Sequence, residues 1–107
     1  MGCETVRDEW IARADLVSEC GEKWVLDYYL QHFDGEGDEK FFGLRIDKNS
    51  PTGELIEREE TFAITESRDD AIIMINAFAK GSVPPVTLLE MADEWYSEYS
   101  EARLLPI

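Results

Sequence analysis

The sequence lacks most of the residues that announce chemistry. Histidine occurs once, at His32. A triad or dyad of the usual kind needs histidine beside a nucleophile and held in a pocket. His32 stands near the end of an apolar run, next to an acidic loop, and reads as an ordinary strand residue. Cysteine occurs twice, at Cys3 and Cys20, with no C-x-x-C pair. Two scattered cysteines make no disulfide framework and read as free thiols of a reducing compartment. No G-x-G-x-x-G, P-loop, G-x-S-x-G or H-E-x-x-H motif is present. No stretch reaches the roughly 18 apolar residues of a membrane span. Met1 to Arg13 holds no apolar core of a secretory leader. The opening Met1-Gly2-Cys3 places Val6 where myristoylation wants Ser or Thr. The expectation is a cytoplasmic protein without cofactor, metal site or catalytic residue.

Basic residues are also scarce. Ten Lys and Arg stand against 24 Asp and Glu, a formal net charge of −14. Nucleic acid and anionic lipid are polyanions and would be repelled, so neither is an expected partner. The acids are spread along the chain rather than gathered in a tail. They keep the chain soluble and leave a basic protein as the expected partner.

What is present is a core. The 107 residues are 44% apolar and 11% aromatic, enough for one domain. Val6, Trp10, Ala12, Ala14 and Leu16 alternate with Arg7, Glu9, Arg13 and Asp15. This period of two predicts a half-buried strand over 6–17. The helix-forming Ala, Glu and Arg residues make a helix the competing reading. A second strand over 23–33 sets Trp24, Leu26, Tyr28 and Leu30 on one face and Val25, Asp27, Tyr29, Gln31 and Phe33 on the other. The loop Asp34 to Glu39 has two glycines among acids and reads as a hairpin connection. A third strand over 40–47 follows, then the turn Asn49-Ser50-Pro51-Thr52-Gly53. A fourth, less regular strand covers 54–64.

The period then changes to 3.6. Ser67 is a helix N-cap, with Asp70 three residues on. Ala71, Ile72, Ile75, Phe78 and Ala79 form one stripe, Lys80 suits the last turn, and Gly81 suits the C′ position. This predicts a helix over 68–80. After Pro84-Pro85 a second helix over 85–99 carries Leu88, Ala92, Trp95 and Tyr99, with Leu89 and Tyr96 widening the stripe. Strands followed by helices give an α+β fold. The expected architecture is a four-stranded antiparallel meander in a single domain, 1–107, with two helices packed on one face.

Each candidate site also has a plain structural reading. Asp34 to Glu39 holds four acids in six residues. It lacks the ligand order and closing Glu of a calcium loop. Asp47-Lys48-Asn49 starts like such a loop but meets Pro51 and Arg58 where ligands belong. Glu57 and Glu59 share a strand face, roughly 7 Å apart, and read as a solvated face rather than a glycosidase-like pair. Tyr29, Phe33 and Phe41 fall opposite the main apolar stripes and suggest an exposed aromatic patch. Tyr29, Phe33, Phe41, Glu57 and Glu59 are the candidate interface.

Ile64-Thr65-Glu66-Ser67-Arg68 and Val83-Pro84-Pro85-Val86-Thr87-Leu88-Leu89-Glu90 resemble a family of small Firmicute proteins carried as a domain of unknown function. The likeness covers about 23–96. It implies a bacterial cytoplasmic protein and transfers no functional residue. The expected role is a non-enzymatic protein-interaction or regulatory module. The alternatives are a nucleic-acid mimic that blocks a basic site and a small-ligand binder or enzyme. A homodimer through the second helix or an edge strand stays open.

Overall fold

The computed structural model describes residues 4–94, with side chains from Arg7 onward. Strands β1 (Glu4–Val17), β2 (Lys23–Asp34), β3 (Lys40–Asn49) and β4 (Leu55–Glu60) form one sheet in the order β1-β2-β3-β4. Every neighbouring pair is antiparallel. Helix α1 (Arg68–Lys80) follows, then a 3₁₀ turn at Pro85–Thr87. Residues 88–94 are helical and form α2. The fold is the α+β meander the periodicity implies. The part of the second helix that would carry Trp95, Tyr96 and Tyr99 lies outside the described residues.

The core lies between the sheet and the helices. Leu26, Tyr28, Leu30, Leu44 and Ile46 are fully buried from the sheet side. They meet Ala71, Met74, Ile75 and Phe78 of α1, together with Val83, Leu88 and Ala92. Burying each large apolar side chain contributes about 1.5–3 kcal/mol. This layer is what holds the two halves together. Met74 belongs to the α1 stripe as well, whereas Leu89 is turned out and exposed rather than widening the stripe of α2.

Helix α1 runs alongside β1 and is tied to it at both ends. Near its start Arg68 pairs with Glu9 at 3.1 Å, and Glu9 also accepts from His32 Nε2 at 2.9 Å. The hydrogen bond from His32, with Arg68 beside it, holds the Glu9 carboxyl below its ordinary range. This tie is complete above the ordinary carboxylate range and is lost as pH falls through the depressed value. Ser67 caps α1 as expected, accepting from the Asp70 N–H. At the other end the capping differs by one residue. Gly81 has φ −91°, and Ser82 takes the left-handed conformation at φ +52°. Ser82 N–H donates to Ala79 O and Val83 N–H to Phe78 O, the Schellman arrangement. Ser82 Oγ donates to Asp15 O at 3.0 Å, a tie to β1 that glycine could not make.

Strand β4 is shorter than the apolar pattern over 54–64 suggests. It ends at Glu60, and the chain bows outward through Phe62, which has φ +61° and is exposed. Thr61 bridges the break, with its N–H on Leu44 O and its Oγ1 accepting from Leu44 N–H. Pairing resumes where Phe42 N–H donates to Thr65 O. The bow sits over Gly43. A Cβ there would lie 1.9 Å from Phe62 O.

Buried Tyr28 donates its hydroxyl to Val83 O at 2.9 Å, fastening β2 to the segment after α1. Burial pushes its phenol well above the ordinary value of 10.0. We expect Tyr28→Phe to lose about 1 kcal/mol at neutral pH, read by urea unfolding. The raised value favours the neutral phenol in the fold, so its contribution is complete below pH 10 and declines above it. Wild-type stability therefore falls more steeply above pH 10 than that of Tyr28→Phe.

Candidate binding surface on the helix-free face

Side chains alternate across a strand, so β2 and β3 present a second set of residues away from the helices. Register aligns Asp27 with Asp47, Tyr29 with Arg45, and Gln31 with Gly43. Strand β1 adds Asp8, Trp10 and Arg13 opposite Gln31, Tyr29 and Asp27. Strand β4 adds Arg58 opposite Asp47. An uncovered sheet face of this kind is normally solvated. Here its centre is buried: Gln31 is 1%, Asp47 5% and Asp27 6% exposed.

A lattice of ion pairs and hydrogen bonds covers it. Asp27 accepts from Arg13 Nε at 2.8 Å, Asn49 Nδ2 at 2.9 Å and Trp10 Nε1 at 3.0 Å. Asp47 accepts from Arg58 Nε at 2.8 Å and Nη2 at 3.1 Å, and from Arg45 Nη2 at 3.2 Å. Arg45 also pairs with Asp8 and has its Cζ over the Tyr29 ring, 3.9 Å from its centroid. The lattice thus joins all four strands. Hydrogen bonding to Asp27 and Asp47 pushes the Arg13 and Arg58 guanidinium values up, so both stay charged. Two buried atoms, Gln31 Oε1 and Arg45 Nε, have no hydrogen-bond partner among the described residues.

Beside this lattice, toward the β3–β4 turn, lies an open cleft of about 430 Å³. Arg13, Tyr29, Asp27, Asn49, Ser50 and Arg58 are among its walls. The turn is closed by Gly53 N–H on Ser50 O, with Gly53 at φ +94°. The exposed indole of Trp10 and the exposed Leu55 flank the same face.

The five residues expected at an interface do not form one surface. Tyr29 lies in the lattice under Arg45. Phe33 is buried, 2% exposed, so the exposed aromatic patch does not form as expected. Its register neighbours are Thr5 and Phe41 on the two flanking strands. Phe41 is half-buried and lines a separate hollow against Ser67 and Asp70 at the start of α1. Glu57 and Glu59 share one face, but register sets them opposite Lys48 and Ile46, on the helix side. Glu57 pairs with Lys48 at 3.3 Å. Lys48 in turn sits 4.6 Å from the Trp24 ring centroid. His32 is engaged by Glu9 and meets Phe42 edge-on, with ring centroids 5.4 Å apart. Cys20 is a free, exposed thiol. Among the described residues no group of three His, Cys, Asp or Glu is placed to hold a metal, and no helix is long and apolar enough to cross a membrane.

Sequence reasoning missed Arg13, Asp27, Arg45, Asp47 and Arg58 as a group. The signal was there: an aspartate within each of the two most apolar strands, with Arg13 and Arg58 on the strands outside them and Arg45 two residues before Asp47.

Fold and surface together define a two-layer α+β domain with helices on one face of a meander and an ionic lattice on the other. The chain belongs to a family of unknown function, DUF6514, whose model matches residues 7–98. No curated protein and no solved structure matches it.

Proposed function

We propose that this is a non-enzymatic protein-interaction module of the bacterial cytoplasm, and that it binds through the helix-free face of its sheet. The observation that carries this reading is the buried lattice with an exposed tryptophan beside it. Buried ion pairs are a poor route to stability, since desolvation offsets most of their attraction. An apolar face of that size would be sticky in the free protein. A lattice that pairs most of its own polar groups gives instead a soluble, preorganised surface, which lowers the ordering cost of binding. Trp, Tyr and Arg are also the residue types that dominate interface energetics.

The charge pattern favours a basic partner nearby. Ion pairs take up Arg7, Arg13, Lys40, Arg45, Lys48, Arg58 and Arg68. The acid surplus therefore stands outside the lattice, where it steers an approaching cation-rich surface.

The test is capture from bacterial lysate at low and high salt by the immobilised protein, by Trp10→Ala and by Ile73→Ala, which alters an exposed position on α1. The expected result is a stoichiometric partner held by wild type and Ile73→Ala and lost with Trp10→Ala. Capture by Trp10→Ala equal to wild type contradicts the proposed face. Absence of any partner at both salts contradicts the module.

A further inference from the structure

We propose that the cleft between Arg13 and Arg58 is a carboxylate-binding site. This rests on reading the helix-free face as the recognition surface, and names the chemistry that surface recognises.

The balance of free donors and acceptors in the cleft favours an acceptor-rich ligand. The two acids in the cleft wall are engaged: Asp27 and Asp47 each accept three hydrogen bonds from lattice side chains. The donors are not used up. Arg13 spends only Nε on Asp27, and among the described residues its two terminal nitrogens have no partner. Arg58 spends Nε and Nη2 and keeps Nη1. Their side chains are 61% and 42% exposed. Asn49 keeps a second amide N–H, and the Tyr29 hydroxyl has no hydrogen bond among the described residues. A cleft whose free capacity is mainly N–H and O–H takes a ligand rich in acceptors.

Geometry narrows the ligand further. Each guanidinium is anchored through Nε on a buried carboxylate, and the terminal nitrogens of Arg13 and Nη1 of Arg58 have no protein partner among the described residues. A planar fork matches a planar carboxylate with two parallel hydrogen bonds. The net charge of −14 does not forbid this. Within the cleft Asp27 and Asp47 offset Arg13 and Arg58, so the unused donors rather than net charge carry the recognition, and acids more than about 8 Å away are largely screened at physiological ionic strength. The carboxylate can belong to a small acid or to a partner's chain end.

The test is a ¹⁵N-detected NMR titration at fixed ionic strength. The probes are succinate, a tetrapeptide with a free C-terminal carboxylate, the same peptide amidated, and inorganic phosphate. The expected result is saturable shifts at Arg13, Tyr29, Asn49 and Ser50 with Kd near 1 mM or tighter for a carboxylate probe. Arg13→Lys, which keeps the charge but not the fork, weakens this about fivefold or more while amide shifts away from the cleft keep their wild-type positions. A response to succinate alone assigns a small acid, and a peptide response that amidation removes assigns a chain end. Phosphate binding as tightly as either carboxylate overturns the assignment. So does the absence of shifts up to about 50 mM, well beyond the expected Kd. In that last case, capture that still depends on Trp10 would leave the recognition face standing and remove only the carboxylate site.

Discussion

Gly43→Ala is expected to destabilise the domain by about 3 kcal/mol or more, a drop in Tm of roughly 10 °C or more. The added Cβ would lie 1.9 Å from Phe62 O and 2.7 Å from Phe62 C. Those are backbone atoms, so no side-chain rotation relieves the overlap. The bow that carries them is held on both sides, by Thr61 on Leu44 and by Ile64 and Thr65 on Phe42. Relief requires breaking one of these anchors. For a domain whose whole stability is about 5–15 kcal/mol, the loss is large. Phe62 already sits at positive φ, which glycine tolerates far better than phenylalanine. The double variant Phe62→Gly, Gly43→Ala should therefore recover part of the loss, and urea unfolding of the set measures the coupling. A Gly43→Ala protein as stable as wild type contradicts this register of β3 and the bow.

Asp47→Ala is expected to cost about 3 kcal/mol, the cost typical of breaking a buried ion pair from one side. Its two arginines differ in consequence. Arg58, from an edge strand, turns into water. Arg45 is 13% exposed and held over Tyr29, and would keep its charge with Asp8 as its remaining acid. Asp27→Ala should cost less, because Arg13 and Trp10 are both largely exposed and re-solvate freely. Asp47→Asn keeps one acceptor oxygen and should fall between Asp47→Ala and wild type. Thermal unfolding of the three variants checks the order. Equal losses for Asp47→Ala and Asp27→Ala would show that Arg45 is not the group that matters.

The architecture was legible because it rests on local periodicity. β1 alternates despite its helix-forming composition, and pairing with β2 along its length decides the matter. The break between Trp10 and Ala12 inserts Ile11 and lets Arg13 share a face with Trp10 rather than with Ile11. No alternation rule locates that insertion. Helix α1 matched its predicted bounds because Ser67 and Lys80 mark them locally. The C-cap differed because Ser82, with a hydroxyl able to reach Asp15, takes the conformation that composition assigns to Gly81.

The binding surface was harder to read because it depends on register between strands. Tyr29 and Glu57 both look like solvent-face residues within their own strands. Only the alignment of β3 with β2 and β4 puts them on opposite sides of the sheet. Asp27 and Asp47 look like breaks in apolar runs until that alignment sets them side by side beneath arginines from both edges. Phe33 looks exposed by parity and is 2% exposed in the fold.

The most direct test of the central claim is hydroxyl-radical footprinting of the protein alone and with its captured partner. Trp10 and Met91 are both reactive and exposed, the first on the helix-free face and the second on α2. Binding through the helix-free face predicts that the partner protects Trp10 and leaves Met91 oxidised as before. Protection of Met91 with Trp10 unchanged would place the partner on the helices and contradict the claim.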